Sequence, residues 1–213
     1  GRADLIVGAP DEEAPTTHNS GAARVYSGRD GSVLHTIRGK VAGDRLGQAV
    51  AGVGDANGDG FDDVAVGAVA DHSFALGSAR VVSGEWITAT AAQRVPVTSF
   101  TLRVEYGPNR GSRFGAALAG AGDIDGDGFA DLIVGARRNG DNGNNSGSVA
   151  VFLSRVYEQR TAVTVHAPQP GEAFGAAVAA AGDVNADGTP DIVIGVASTR
   201  VEVRSGRDAS ILR

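Results

Sequence analysis

A chain of 213 residues, 42% of them hydrophobic and 21% charged, is long enough to bury a core and too ordinary in charge to be a disordered segment. The formal net charge of −6 argues against a general nucleic-acid binder, whose affinity rests on neutralising phosphates. With no Cys there can be no disulfide framework, thiolate metal site or Cys nucleophile, although this leaves the compartment open. The 32 Gly against 7 Pro, without a three-residue period, indicate many tight turns and therefore many short strands.

In chain order, residues 1–4 have nothing of a signal peptide, and no apolar run reaches the roughly 18 residues of a membrane span. The chain is therefore expected to begin after any targeting segment, and no membrane insertion is expected of it. Ala3-Asp4-Leu5-Ile6-Val7-Gly8-Ala9 repeats Ala130-Asp131-Leu132-Ile133-Val134-Gly135-Ala136, so the chain enters in the middle of a repeat. Strands are expected at 4–8, 23–27 and 33–38. A full copy follows, with strands at 46–54, 63–67, 78–83 and 97–106, and no segment long enough to carry a helical period. Two further copies start at Phe114-Gly115 and Phe174-Gly175, and the last is expected to end in a fourth strand at 211–213. The repeats run approximately over 1–43 (partial), 44–111, 112–171 and 172–213 of one domain or fragment, 1–213. The first strand of each full copy is almost wholly Ala, Gly and Val, which suits a strand crowded by its counterparts in neighbouring units. Four-stranded antiparallel units packed radially make an all-β protein, a β-propeller with about four blades covered and part of a larger ring.

Between the first and second strands of each full copy lies an acidic loop. The three read Asp55-Ala56-Asn57-Gly58-Asp59-Gly60-Phe61-Asp62-Asp63, Asp123-Ile124-Asp125-Gly126-Asp127-Gly128-Phe129-Ala130-Asp131 and Asp183-Val184-Asn185-Ala186-Asp187-Gly188-Thr189-Pro190-Asp191. All fit D-x-[DN]-x-D-G-x-x-D. Ca²⁺ takes six to eight oxygen ligands at about 2.3–2.6 Å, and carboxylates at alternate positions of a tight loop supply them. The expected ligands are Asp55, Asn57, Asp59 and Asp63 with the carbonyl of Phe61, then Asp123, Asp125, Asp127 and Asp131 with that of Phe129. The third set is Asp183, Asn185, Asp187 and Asp191 with the carbonyl of Thr189. Three Ca²⁺ ions would cancel the formal charge, and each loop is expected to act as a separate site. An EF-hand is excluded, since position twelve is Val66, Val134 or Ile194 rather than Glu, and a strand follows instead of a helix.

Phe114-Gly115 with Gly135-Ala136-Arg137, Phe174-Gly175 with Gly195-Val196-Ala197, and the loops between them resemble FG-GAP repeats, the family that forms the β-propeller of integrin α-subunits and of many bacterial extracellular proteins. Leu46-Gly47 departs from Phe-Gly, and a full Gly-Ala-Pro stands only at Gly8-Ala9-Pro10. The resemblance implies an extracellular or cell-surface module for adhesion, protein–protein interaction or scaffolding. It also implies Ca²⁺ in the hairpin loops and a protein or glycan ligand on the face opposite them. The alternative it allows is the non-catalytic propeller part of a secreted hydrolase or lyase. His18, His35, His72 and His166 fall at unrelated repeat positions and suggest no catalytic or metal set. The calcium loops and the hairpins at 27–32 and 205–210 should share one face. Loops 11–20, 71–77 and 137–147 and the turn 110–113 should share the other. Arg110, Arg113, Arg137 and Arg138 lie there, with solvated charge the simpler reading of them, and Asn144-Asn145-Ser146 forms a glycosylation sequon. Self-association, or the remainder of a longer chain, would cover the open ends of an incomplete ring.

Overall fold

Short β-rich runs bounded by Gly and Asp give four separate antiparallel sheets in the computed structural model, which describes residues 3–13, 18–69, 77–88, 111–154, 160–197 and 200–213. The first sheet holds β1 (Leu5–Ala9), β2 (Ala22–Tyr26) and β3 (Val33–Arg38). The second holds β4 (Leu46–Gly54), β5 (Asp63–Ala68) and β6 (Ser78–Val82). The third has four strands, β7 (Phe114–Gly122), β8 (Asp131–Ala136), β9 (Ser148–Leu153) and β10 (Arg160–His166). The fourth has β11 (Phe174–Gly182), β12 (Asp191–Val196) and β13 (Arg200–Arg204). The chain is thus all-β, and among the described residues its sheets are propeller blades of three or four strands. The strand expected at 97–106 lies outside the described residues.

Two details differ from the sequence reading. One helical turn, α1 (Gly84–Thr88), follows β6 and tucks Ile87 into the core. A single turn is too short to leave a periodic signal. The strand expected at 211–213 is reduced to an isolated antiparallel bridge between Arg204 and Ile211, with Leu212 N–H donating to the Val203 carbonyl at 2.8 Å.

The first strands of successive blades line up: β4 packs against β7, and β7 against β11. Their small residues follow from backbone meeting backbone. A methyl added at Gly67 would run into the carbonyl of Gly115, and one at Gly135 into that of Gly175. The Gly of each Phe-Gly therefore lies on the second-strand Gly of the preceding blade. Gly115 and Gly175 hold φ of 81° and 79° at bulges in β7 and β11, a conformation L-residues resist. A second shift at the end of each strand, between Gly120 and Gly122 in β7, turns the chain into the acidic loop.

Three apolar clusters fill the spaces between consecutive sheets. With a period of two, β8 sends Leu132 and Val134 into the cluster with the second sheet and Ile133 into the cluster with the fourth, so the whole strand is buried. Phe114 and Phe152 meet edge to face there, ring centroids 5.9 Å apart. A backbone clasp reinforces each junction. The residue before the third strand bridges in parallel to the first residue of the next blade, at Gly21 with Leu46, Gly77 with Phe114 and Gly147 with Phe174.

Candidate metal loops

Each acidic loop is organised by its own carboxylates. Asp123 Oδ1 accepts N–H bonds from Gly126 at 2.8 Å and Asp127 at 3.0 Å, and Oδ2 accepts from Gly128 at 2.9 Å. Asp55 does the same with Gly58, Asp59 and Gly60, and Asp183 with Asp187 and Gly188. Position three accepts from the N–H of position five, and position five from that of position seven, in all three loops. These bonds close the turn while leaving further lone pairs on each carboxylate.

The last Asp of each loop is buried and ties the hairpin to the blade. Asp63, Asp131 and Asp191 accept on Oδ2 from the N–H of position two, Ala56, Ile124 or Val184. On Oδ1 they accept from the residue where the third strand ends, Gly84, Ser154 or Gly206. Asp4 makes the matching bond to Gly28 at 2.9 Å in the opening blade. These bonds put the acidic loops and the third-strand hairpins at one end of the blades. Sequence reasoning missed these donors, although Ser-Gly recurs just after the third strand at 27–28, 83–84 and 205–206.

The loops differ at position three. In the second, Asp123, Asp125 and Asp131 bring carboxylate oxygens within 4.8 Å of one another, the one such group of three among the described residues. In the first, Asn57 donates its amide to Asp59 Oδ2 at 2.8 Å, and Ser83 Oγ donates to the same oxygen at 2.6 Å. Asn185 engages Asp187 likewise. An aspartate at position three has no proton to offer, so charge accumulates in the second loop. Burial pushes the Asp131 carboxyl up to about 6; N–H bonds from Ser154 and Ile124 pull the other way, and the neighbouring Asp125 and Asp127 charges add to the rise. Asp63 is also pushed up to about 6, first by burial and then by Asp59 and Asp55 against the bonds from Gly84 and Ala56. A crowded, all-oxygen donor set with unfavourable self-repulsion fits a hard divalent cation.

The first and second loops are joined to each other. Ala130 N–H donates to the Asp55 carbonyl at 2.9 Å, joining the second loop to the first. On the opposite face, Asn139 is buried and bridges Asp141 and Ser148, with His166 Nδ1 3.4 Å from Asp141 Oδ2. Of the four arginines read there, Arg110 lies outside the described residues. No described helix is long and apolar enough to cross a membrane.

Blades of this kind, packed in succession and each carrying an acidic hairpin after its first strand, are those of a repeat-built β-propeller. The FG-GAP repeat family matches residues 114–152 and 174–203, which contain the second and third loops. Human integrin alpha-IIb is 34% identical over 209 residues, covering 90% of this chain and 19% of the integrin. Drosophila melanogaster integrin alpha-PS5 is 32% identical over 177 residues, 78% of this chain and 15% of the relative. Human integrin alpha-E is 32% identical over 140 residues, 62% and 10% respectively. The chain spans about a fifth or less of the length of these relatives. The chain carries FG-GAP repeats and resembles the integrin α-subunits over most of its length.

Proposed function

We propose that this chain is a non-catalytic, calcium-binding propeller segment, 1–213, of an extracellular adhesion or scaffolding protein. One observation carries the metal reading, the convergence of Asp123, Asp125 and Asp131 within 4.8 Å in an all-oxygen loop. Asp127 and the Phe129 carbonyl complete that set, and the first and third loops supply their counterparts, with the side-chain amide oxygen of Asn57 or Asn185 standing at position three. When bound, the cation supplies charge neutralisation and a staple between strands rather than a reaction. The chain's residues do the rest: Asp131 and its equivalents anchor the loop to the blade, while Asp123 and its equivalents hold the turn. The adhesion reading is supported by the likeness to integrin α-subunits; the face opposite the loops is proposed to take a protein or glycan ligand.

Differential scanning calorimetry after dialysis against chelator, then with CaCl₂ restored, tests the metal reading. Calcium at 100 times its dissociation constant should stabilise the fold by about 2.7 kcal/mol per site. An unmoved transition, or no calcium retained by elemental analysis, refutes it.

A further inference from the structure

We infer that the first and second loops are coupled through a single peptide plane while the third stands apart; this rests on the calcium reading above. Ala130 N–H donates to the Asp55 carbonyl at 2.9 Å. That N–H belongs to the same peptide as the Phe129 carbonyl, the oxygen assigned to the ion of the second loop. A peptide plane turns as a unit. Fixing the Phe129 carbonyl therefore also fixes the group that holds Asp55, whose carboxylate accepts the N–H bonds of Gly58, Asp59 and Gly60. The Phe129 ring adds a second contact. It lies so close over Gly58 that a Cβ there would overlap its Cε1.

The third loop lacks both connections. Its equivalent plane joins Thr189 to Pro190, and proline has no N–H to donate to the second loop. Nothing lies within 4 Å of the Cβ position at Gly126, the counterpart of Gly58. The Pro190 ring instead approaches Gly122, 3.3 Å from its Cβ position, a contact without direction. Coupling thus joins the first two loops and stops at the third.

Nuclear magnetic resonance gives each loop its own reporter. The N–H groups of Gly60, Gly128 and Gly188 each donate at 2.9 Å to the first carboxylate of their own loop, so their shifts follow a CaCl₂ titration separately. Asp125→Ala, which disables the second loop, should weaken the Gly60 midpoint about fivefold, the worth of one hydrogen bond. Asp187→Ala, in the third loop, should leave it in place. Reciprocity requires Asp59→Ala to weaken the Gly128 midpoint by the same factor. Ala130→Pro copies the residue the third loop already carries. In that background Asp125→Ala should have no further effect at Gly60, because the connection is already cut. If all three loops titrate but Gly60 ignores Asp125→Ala, the coupling is overturned and the calcium reading stands. If no glycine responds to CaCl₂ in the unaltered chain, both fall.

Discussion

Leu5 and Leu132 occupy the same position in two copies of one repeat, yet Leu132 is 0% exposed and Leu5 60%. Each stands in a second strand, flanked by the same Asp and the same Ile-Val-Gly-Ala. What differs is the neighbour. Leu132 faces the second sheet through β7 and β4, whereas no preceding sheet covers β1 among the described residues. The last blade repeats the lesson on its other side, where Val201, the counterpart of the buried Val149, is 63% exposed. Local sequence specifies the strand and the face that wants burial; the adjoining blade decides whether burial happens.

The sharpest way to break this comparison is to truncate both leucines. Leu132→Ala should cost about 2–5 kcal/mol in urea denaturation, through lost transfer energy and a cavity, and Leu5→Ala no more than about 0.5 kcal/mol. Equal costs would show that Leu5 is buried in solution. The next contrast concerns glycines that share a left-handed conformation. Gly147→Ala, at φ 87° and with its methyl driven into the Phe174 carbonyl, should cost about 2 kcal/mol or more, since strain and a lost clasp add. Gly31→Ala, at φ 74° in open space, should cost about 1 kcal/mol, the backbone penalty alone. Thermal melts of the two variants check the order.

The smallest effect sharpens the comparison at the junction of the third and fourth sheets. There β13 turns Glu202 and Arg204 inward, with the exposed Arg200 pairing Glu202 from the rim and Arg204 stacking over Phe174 at 5.7 Å. Burial alone would raise the Glu202 carboxyl, but hydrogen bonds and charge from Arg200 and Arg204 together outweigh it and hold the carboxyl below its usual value. A lowered folded pKa contributes stability above the unfolded value, about 4.3 for glutamate, and loses it as pH falls below that value and through the lowered one, so the junction should weaken in acid. Glu202→Gln should flatten that part of the stability–pH curve. A wild-type curve no steeper than the variant's would count against the pairing.

Much of this was legible in the residues. The acidic loops stand out because three copies share one spacing, and the strands beside them because Asp-Leu-Ile-Val-Gly and its relatives alternate faces. The Phe-Gly and Gly-Ala motifs acquire their meaning only in three dimensions, as two glycines of adjacent blades that touch. Contacts between repeats carry no periodic signal. The Ala130 bond to Asp55 joins residues whose types reveal nothing, and α1 is too short to announce itself. The Asn or Asp choice at position three is visible in the sequence, but its effect is not, because the hydrogen that separates Asn57 from Asp125 matters only beside Asp59 or Asp131.

The clasp at Gly21, Gly77 and Gly147 has a further consequence. Among the described residues, extensive contact between sheets joins only consecutive ones, so these sheets are held as a row in which each member grips the next. Such a row should fray rather than melt at once. Amide exchange ought to be slowest in β8, enclosed on both faces, and to quicken outward toward β1 and β13, giving a gradient of protection along the chain that an evenly knit domain would not show.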